Sequence, residues 1–315
     1  MNYLIRHWSF DPFVVIVAIT VMANELGLYR LRQHSVLSRT KRRRRNSFVF
    51  YAGLAALLVS ICSPIDYWSS SYFFVHMIEH VMIMFLAPVL IVAGAPWIPL
   101  MFALPVKTRR KVGRFFYLSK NARVFRAIGH FVRSPWVAII SFNAAMLLWH
   151  VPALFELSER NQSVHVWVMH GSFFVTGVLF WLQIIESYPM KPLRGPTWQA
   201  GSIIATNVIM TLLAMSMSIL TTTSWYSGYA HVPGVTLSPF ADQQIGAAIL
   251  WVCGDFWALP ALIIIFRRAI ANEGSFSSVI DRLTGRAATP TLESFRPQRV
   301  PASTPTDRLE GTSEN

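Results

Sequence analysis

Charge is what this sequence has least of, and acidic charge above all. Charged residues fill 14% of its 315 positions, with 15 Asp and Glu against 28 Lys and Arg, where soluble domains carry about 25%. A hydrophobic fraction of 53% would force a soluble protein to expose too much apolar surface. Cysteine is also scarce. Cys62 and Cys253 stand in separate apolar runs with no CxxC spacing, which excludes a disulfide framework and a thiolate metal motif. The apolar runs hold no lysine, so a retinal Schiff base is excluded. There is no Walker motif and no GxSxG. HMIEH (76–80) has its histidines four apart, but its glutamate directly precedes the second instead of following the first. The general base of a zinc protease is therefore missing, and the chain is not expected to be an enzyme.

What is present is oil in long runs. Seven candidate helices fall near 11–30, 47–63, 73–96, 135–155, 164–186, 199–223 and 241–266. Each is long enough for a hydrocarbon core of about 30 Å at 1.5 Å per residue, and helices satisfy their own backbone hydrogen bonds in lipid. The expected fold is all-α: a polytopic membrane domain of seven transmembrane helices over residues 1–270. The first run, Phe13 to Leu31, lacks a small-residue cleavage site and reads as a span.

The basic residues assign the sides. In a seven-span arrangement all of the 28 Lys and Arg except Arg6 and Arg160 fall on one side. That side is cytoplasmic by the positive-inside rule, which puts the N-terminus outside and the C-terminus inside. The basic loops suit anionic headgroups of the lipid bilayer, and no nucleic acid is expected as a partner. Residues 271–315, rich in Ser, Thr, Pro and charge, are expected to form a disordered cytoplasmic tail.

Six of the nine histidines, His76, His80, His150, His165, His170 and His231, fall at or near the outer face. His76 lies about 5 Å and His80 about 11 Å below the start of the third helix, counted at 1.5 Å per residue. His150 sits about 9 Å before the exit of the fourth, and His170 about 9 Å into the fifth. Three helices thus bring imidazoles to one shallow layer, over which His231 could close. His76 and His80, four apart, share a helix face; His165 and His170, five apart, do not share one as closely. Either His165 stands in a non-helical lead-in or only one of the two joins the layer. A polar face inside lipid turns to the bundle interior. Imidazole suits copper and zinc, and a thioether such as Met77 adds preference for Cu(I). Glu79 and Asp242 are carboxylates placed to orient a histidine, and Gln243 stands beside them. Deeper polar groups are Glu25, expected to pair with Arg30 or Arg32, and Asp255, expected to pair with Asn143 or Asn207.

HMIEHVMIMFLAPVLIVAGAP (76–96), LLWHVPALFE (147–156), NQSVHVWVMHGSFFVTGVLFW (161–181) and SPFADQQIGAAILWVCG (238–254) together resemble the CtaG-type assembly factors of caa3-type cytochrome c oxidase. The ordered set HMxxH, WHxP, HxxxxH and ADQQ carries the resemblance over roughly residues 66–266. It implies a seven-helix protein of the bacterial inner membrane that takes part in oxidase maturation by supplying copper. The partners would be cytochrome c oxidase subunits and a periplasmic copper donor. The expected metal ligands are His76, His80, His150, His165 and His170, with Met77, Glu79, Asp242 and Gln243 around them. A membrane haem protein, a copper permease and a metal-free scaffold are the alternatives.

Overall fold

The computed structural model describes residues 7–9, 12–33, 37–229, 234 and 236–273. His231 and residues 274–315, on which expectations were placed, lie outside the described residues. The chain begins with α1 (Pro12–Arg32), α2 (Leu37–Cys62), the short α3 (Pro64–Ser69) and α4 (Phe73–Val81). α4 passes through a π-helical turn, Met82–Leu86, into α5 (Ala87–Gly94). Next come α6 (Trp97–Ala103), α7 (Val106–Leu118), α8 (Arg123–Val132), α9 (Pro135–Trp149) and α10 (Pro152–Arg160). A second π turn, Val164–His170, leads into α11 (Gly171–Ile184), followed by α12 (Pro196–Ser218) and α13 (Pro239–Glu273). Among the described residues there is no strand, only an isolated bridge between Ser187 and Met190.

Among the described residues six stretches are long and apolar enough to cross a membrane: Pro12–Arg32, Lys41–Cys62, Phe73–Gly94, Val164–Ile184, Pro196–Ser218 and Pro239–Ala271. They make this an all-helical, multi-pass membrane protein. Large side chains such as Met22, Val175, Leu212 and Phe256 stand exposed along them, as lipid-facing residues do. The expected fourth span differs from the expectation. It ends at Trp149, because Pro152 disfavours helical backbone at Val151, and α10 then starts afresh. The 15 residues of α9 reach only about 22 Å. A seventh crossing is counted only if Lys120–Val132 and Pro135–Trp149, bent by 66° at their junction, act as one broken span. At the other expected boundary, helix α13 runs three residues past 270, to Glu273.

The first π turn has a local cause. Pro88 has no N–H to give Met84 O, and its ring crowds that carbonyl; the backbone widens, and Ala87 N–H bonds back to Met82 O. Gly177 of α11 packs at this point. A Cβ there would stand 2.5 Å from Met84 O, so only glycine lets the two helices approach so closely.

Both ends of the bundle are cross-tied. At the end where α4 begins, Asp242 of α13 accepts the backbone N–H groups of Phe73 (2.8 Å) and Phe74 (2.9 Å). At the opposite end, Arg268 donates to Ile184 O and Gln199 Oε1, and Arg30 donates to Phe102 O and Ala103 O. Between the ends the centre is aromatic: Phe142 stacks on Phe180 at 4.5 Å, and Phe85, Trp181 and Trp257 close around them.

Candidate metal centre

The histidine layer is assembled from four pieces of chain that are each locally simple. α4 carries His76 and His80 one turn apart, with ring centroids 4.1 Å from each other. His150 is the C-terminal cap of α9, standing just before the break imposed by Pro152. α10 crosses the top, burying Phe155 against His76 at 4.9 Å. One turn later on the same face comes Glu159. Asn161 then reverses the chain, its side chain accepting the N–H groups of Ser163 and Val164. The second π turn follows at once.

That π turn corrects the expectation for His165 and His170. In an α-helix residues five apart point about 140° away from each other. Hydrogen bonding from i to i+5 stacks them on one face instead. His165 is neither in a non-helical lead-in nor turned away: the His165 and His170 rings lie 4.4 Å apart. His165 also stands 5.1 Å from His76, and His170 5.6 Å from His80. His150 completes the layer at 6.4 Å from His80. All five imidazoles are buried.

Their polar atoms are poorly satisfied by protein. Among the described residues, His76 Nε2, His150 Nε2, both ring nitrogens of His80 and His170 and both oxygens of Glu79 are buried without a hydrogen-bond partner. Such groups are costly to leave unmet, and so many in one place suits a ligand that accepts their lone pairs. Two imidazoles are already oriented for that role. His150 Nδ1 lies 2.6 Å from Met146 O, a bond that requires Nδ1–H and frees the Nε2 lone pair. Tyr229 OH donates to Ser69 O at 2.8 Å and stands 3.2 Å from His76 Nδ1. Since its one proton goes to Ser69, it receives Nδ1–H from His76 and again frees Nε2. Burial, and then the carboxylates of Glu159 and Glu79, push the Tyr229 hydroxyl well above its ordinary range, so it keeps that proton.

Among the described residues two sets of three donors close within 4.8 Å: His76 with Glu159 and His165, and Glu79 with His165 and His170. Glu159 Oε1 lies 3.0 Å from His165 Nδ1 and 3.6 Å from His76 Nδ1, and Glu79 Oε1 lies 3.6 Å from His170 Nε2.

With the site in view, the comparisons with known proteins have a place. Residues 25–272 match the cytochrome c oxidase caa3 assembly factors. The chain belongs to this family. Among similar proteins are uncharacterized proteins of Mycobacterium bovis and Mycobacterium tuberculosis, each 27% identical over 274 residues. Another, from Mycobacterium leprae, is 25% identical over 262 residues. Each match covers 82% of this chain and 38% of the relative, so the chain spans well under half the length of the curated relatives it matches. No solved structure matches.

For this assembly factor the remaining expected site residues fall around the layer rather than in it. Met77 is buried against α13: a Cβ on Gly246 would stand 3.0 Å from its Cγ. Asp242 orients no histidine directly; it caps the first turn of α4 and thereby fixes where His76 and His80 begin. Gln243 accepts Trp225 N–H at 2.6 Å and donates to Met217 O at 2.7 Å, tying the α12–α13 loop to the end of α12. Of the deeper groups, Asp255 accepts from Asn207 at 2.9 Å, while Asn143 turns to Thr206. Glu25 accepts from Tyr51 OH at 2.6 Å. His7 stacks on Tyr67 at 3.8 Å. Glu159 is the residue that reading the sequence missed. Its signal was the spacing of four from Phe155 within a helix that Pro152 restarts.

Proposed function

We propose that this assembly factor binds copper in the histidine layer and delivers it to a cytochrome c oxidase subunit. The observation that carries the reading is the convergence of five buried imidazoles from α4, α9 and the π turn, most with ring nitrogens that no described residue satisfies. Imidazole and carboxylate suit copper. Cu(II) asks for four donors in a tetragonal plane, whereas each close set offers three; Cu(I), a d10 ion without that demand, is the form proposed. The copper is cargo, so ligand substitution suffices and no covalent reaction is needed.

The arrangement of the membrane follows the positive-inside rule. The basic α7 and α8 and Arg42 to Arg45 belong to the end opposite the histidines. The histidine layer accordingly faces the outside of a bacterial inner membrane, where a periplasmic donor supplies copper and the oxidase subunit receives it. Below the layer the aromatic packing of Phe85, Phe142, Phe180 and Trp181 favours delivery on the entry side over permeation. Ring centroids of 4.1–5.6 Å between successive members of the His76, His80, His170 and His165 ring leave no gap for a porphyrin between those neighbours.

The test is metal analysis of the purified protein with and without His76→Ala/His80→Ala. Bound copper in the parent and its loss in the variant are expected. Equal copper content and affinity in both would remove α4 from the site, and no copper in either would leave a metal-free scaffold.

A further inference from the structure

Two sets of donors are one more than a single site needs, and they are not independent. Both contain His165. Each also supplies one carboxylate and two imidazoles. They differ in depth: the Glu159 side chain is 22% exposed, with its Oε1 buried toward His76 and His165, whereas Glu79 is wholly buried and His170 nearly so.

We infer that the layer is a two-station relay, in which copper enters at Glu159, His76 and His165 and moves inward to Glu79, His165 and His170. The inference rests on the copper-delivery reading and says how the same site works. The step is ligand exchange alone. The bonds to Glu159 and His76 break, those to Glu79 and His170 form, and His165 stays bound throughout. No electron changes owner, and any proton on the carboxylate that gains the ion passes to the carboxylate that loses it. Because the two donor sets match in kind and number, the ion meets the same donor chemistry at each station. The retained His165 bond keeps the ion from being fully released into a low-dielectric interior, where a bare charge is costly. The π turn is what permits this, since only i to i+5 stacking puts His165 between the surface carboxylate and His170. His80, with both ring nitrogens unpartnered, lies next to the inner station.

A relay and a single site with Glu159 as a mere orienting partner of His165 make opposite kinetic predictions. Removing an entry station raises the barrier in both directions. Removing an orienting partner weakens binding and speeds release. The experiment uses the full chain in detergent without oxygen, with Cu(I) offered as its bicinchoninate complex and capture followed by loss of the chelator's colour. Release is followed on adding excess chelator. Glu159→Gln is expected to slow capture and release alike, by on the order of tenfold or more, with affinity unchanged. Glu79→Gln is expected to capture at the parent rate but to release faster by about 10- to 100-fold, the scale on which metal sites answer to lost partners. Each variant should keep the parent's helical circular dichroism and thermal unfolding, which controls for misfolding. Faster release from Glu159→Gln, or capture at the parent rate, overturns the relay and leaves a single site. A parent protein that takes up no Cu(I) overturns the delivery reading itself, and the relay with it.

Discussion

Replacing Asp242 by alanine is the perturbation whose effect follows most directly from the structure. Its two oxygens accept two adjacent N–H groups at the start of α4, at 2.8 and 2.9 Å, across a sequence separation of 169 and 168 residues. Asp242 is buried, so water cannot replace it fully. A hydrogen bond to a charged group contributes about 1.5–3 kcal/mol, and a buried N–H left unmet costs about 1–3 kcal/mol. Loss of a helix cap alone is measured at about 0.5–2 kcal/mol. Taking one bond at its full value and the second as partly recovered gives a destabilisation of roughly 3 kcal/mol for Asp242→Ala. Asp242→Asn keeps one acceptor and should fall between. Because His76 stands in the first turn of α4, fraying that turn should also weaken copper binding. Equilibrium denaturant titration in detergent measures the first effect and competition with a Cu(I) chelator the second. If Asp242→Ala stays within about 0.5 kcal/mol of the parent, the range of a neutral surface change, the cap does not hold α4 and this account of the site's framework is refuted.

Two further outcomes are expected. The Ser227 hydroxyl and then its backbone N–H hold the Glu156 carboxyl below its ordinary range, with Arg160 assisting. A carboxyl lowered on folding contributes stability that is full above its unfolded value and lost as pH falls through its folded value. The Ser227–Tyr229 turn should therefore loosen from α10 in acid, seen as faster amide exchange at Ser227, and Glu156→Gln should abolish the pH dependence; an unchanged acid profile in the variant would refute the assignment. Asn207→Leu strips Asp255 of its donor and should destabilise by about 1–3 kcal/mol, with Asn207→Leu/Asp255→Leu recovering most of the loss in a double-mutant cycle; additive losses would show that the two do not interact.

The sequence by itself determined what periodicity and composition can carry. Apolar runs placed six membrane-crossing helices within three residues of their observed positions, apart from the lysine- and arginine-rich start of the second and the ends of the last two, each five residues off. The side-alternation of histidines placed His76, His80, His150 and His170 at one end, because a helix converts residue number directly into depth. Tertiary structure decided the rest. Glu159 joins the layer from a surface helix that Pro152 restarts, and Asp242 reaches α4 across most of the chain, a pairing with no local signature. His165 faces His170 only because the backbone widens by one residue per turn, and a count of residues assumes the ordinary turn. Where the helical repeat holds, the sequence can be read as geometry; where a proline break or a π turn changes the repeat, only the packed chain shows which side chains meet.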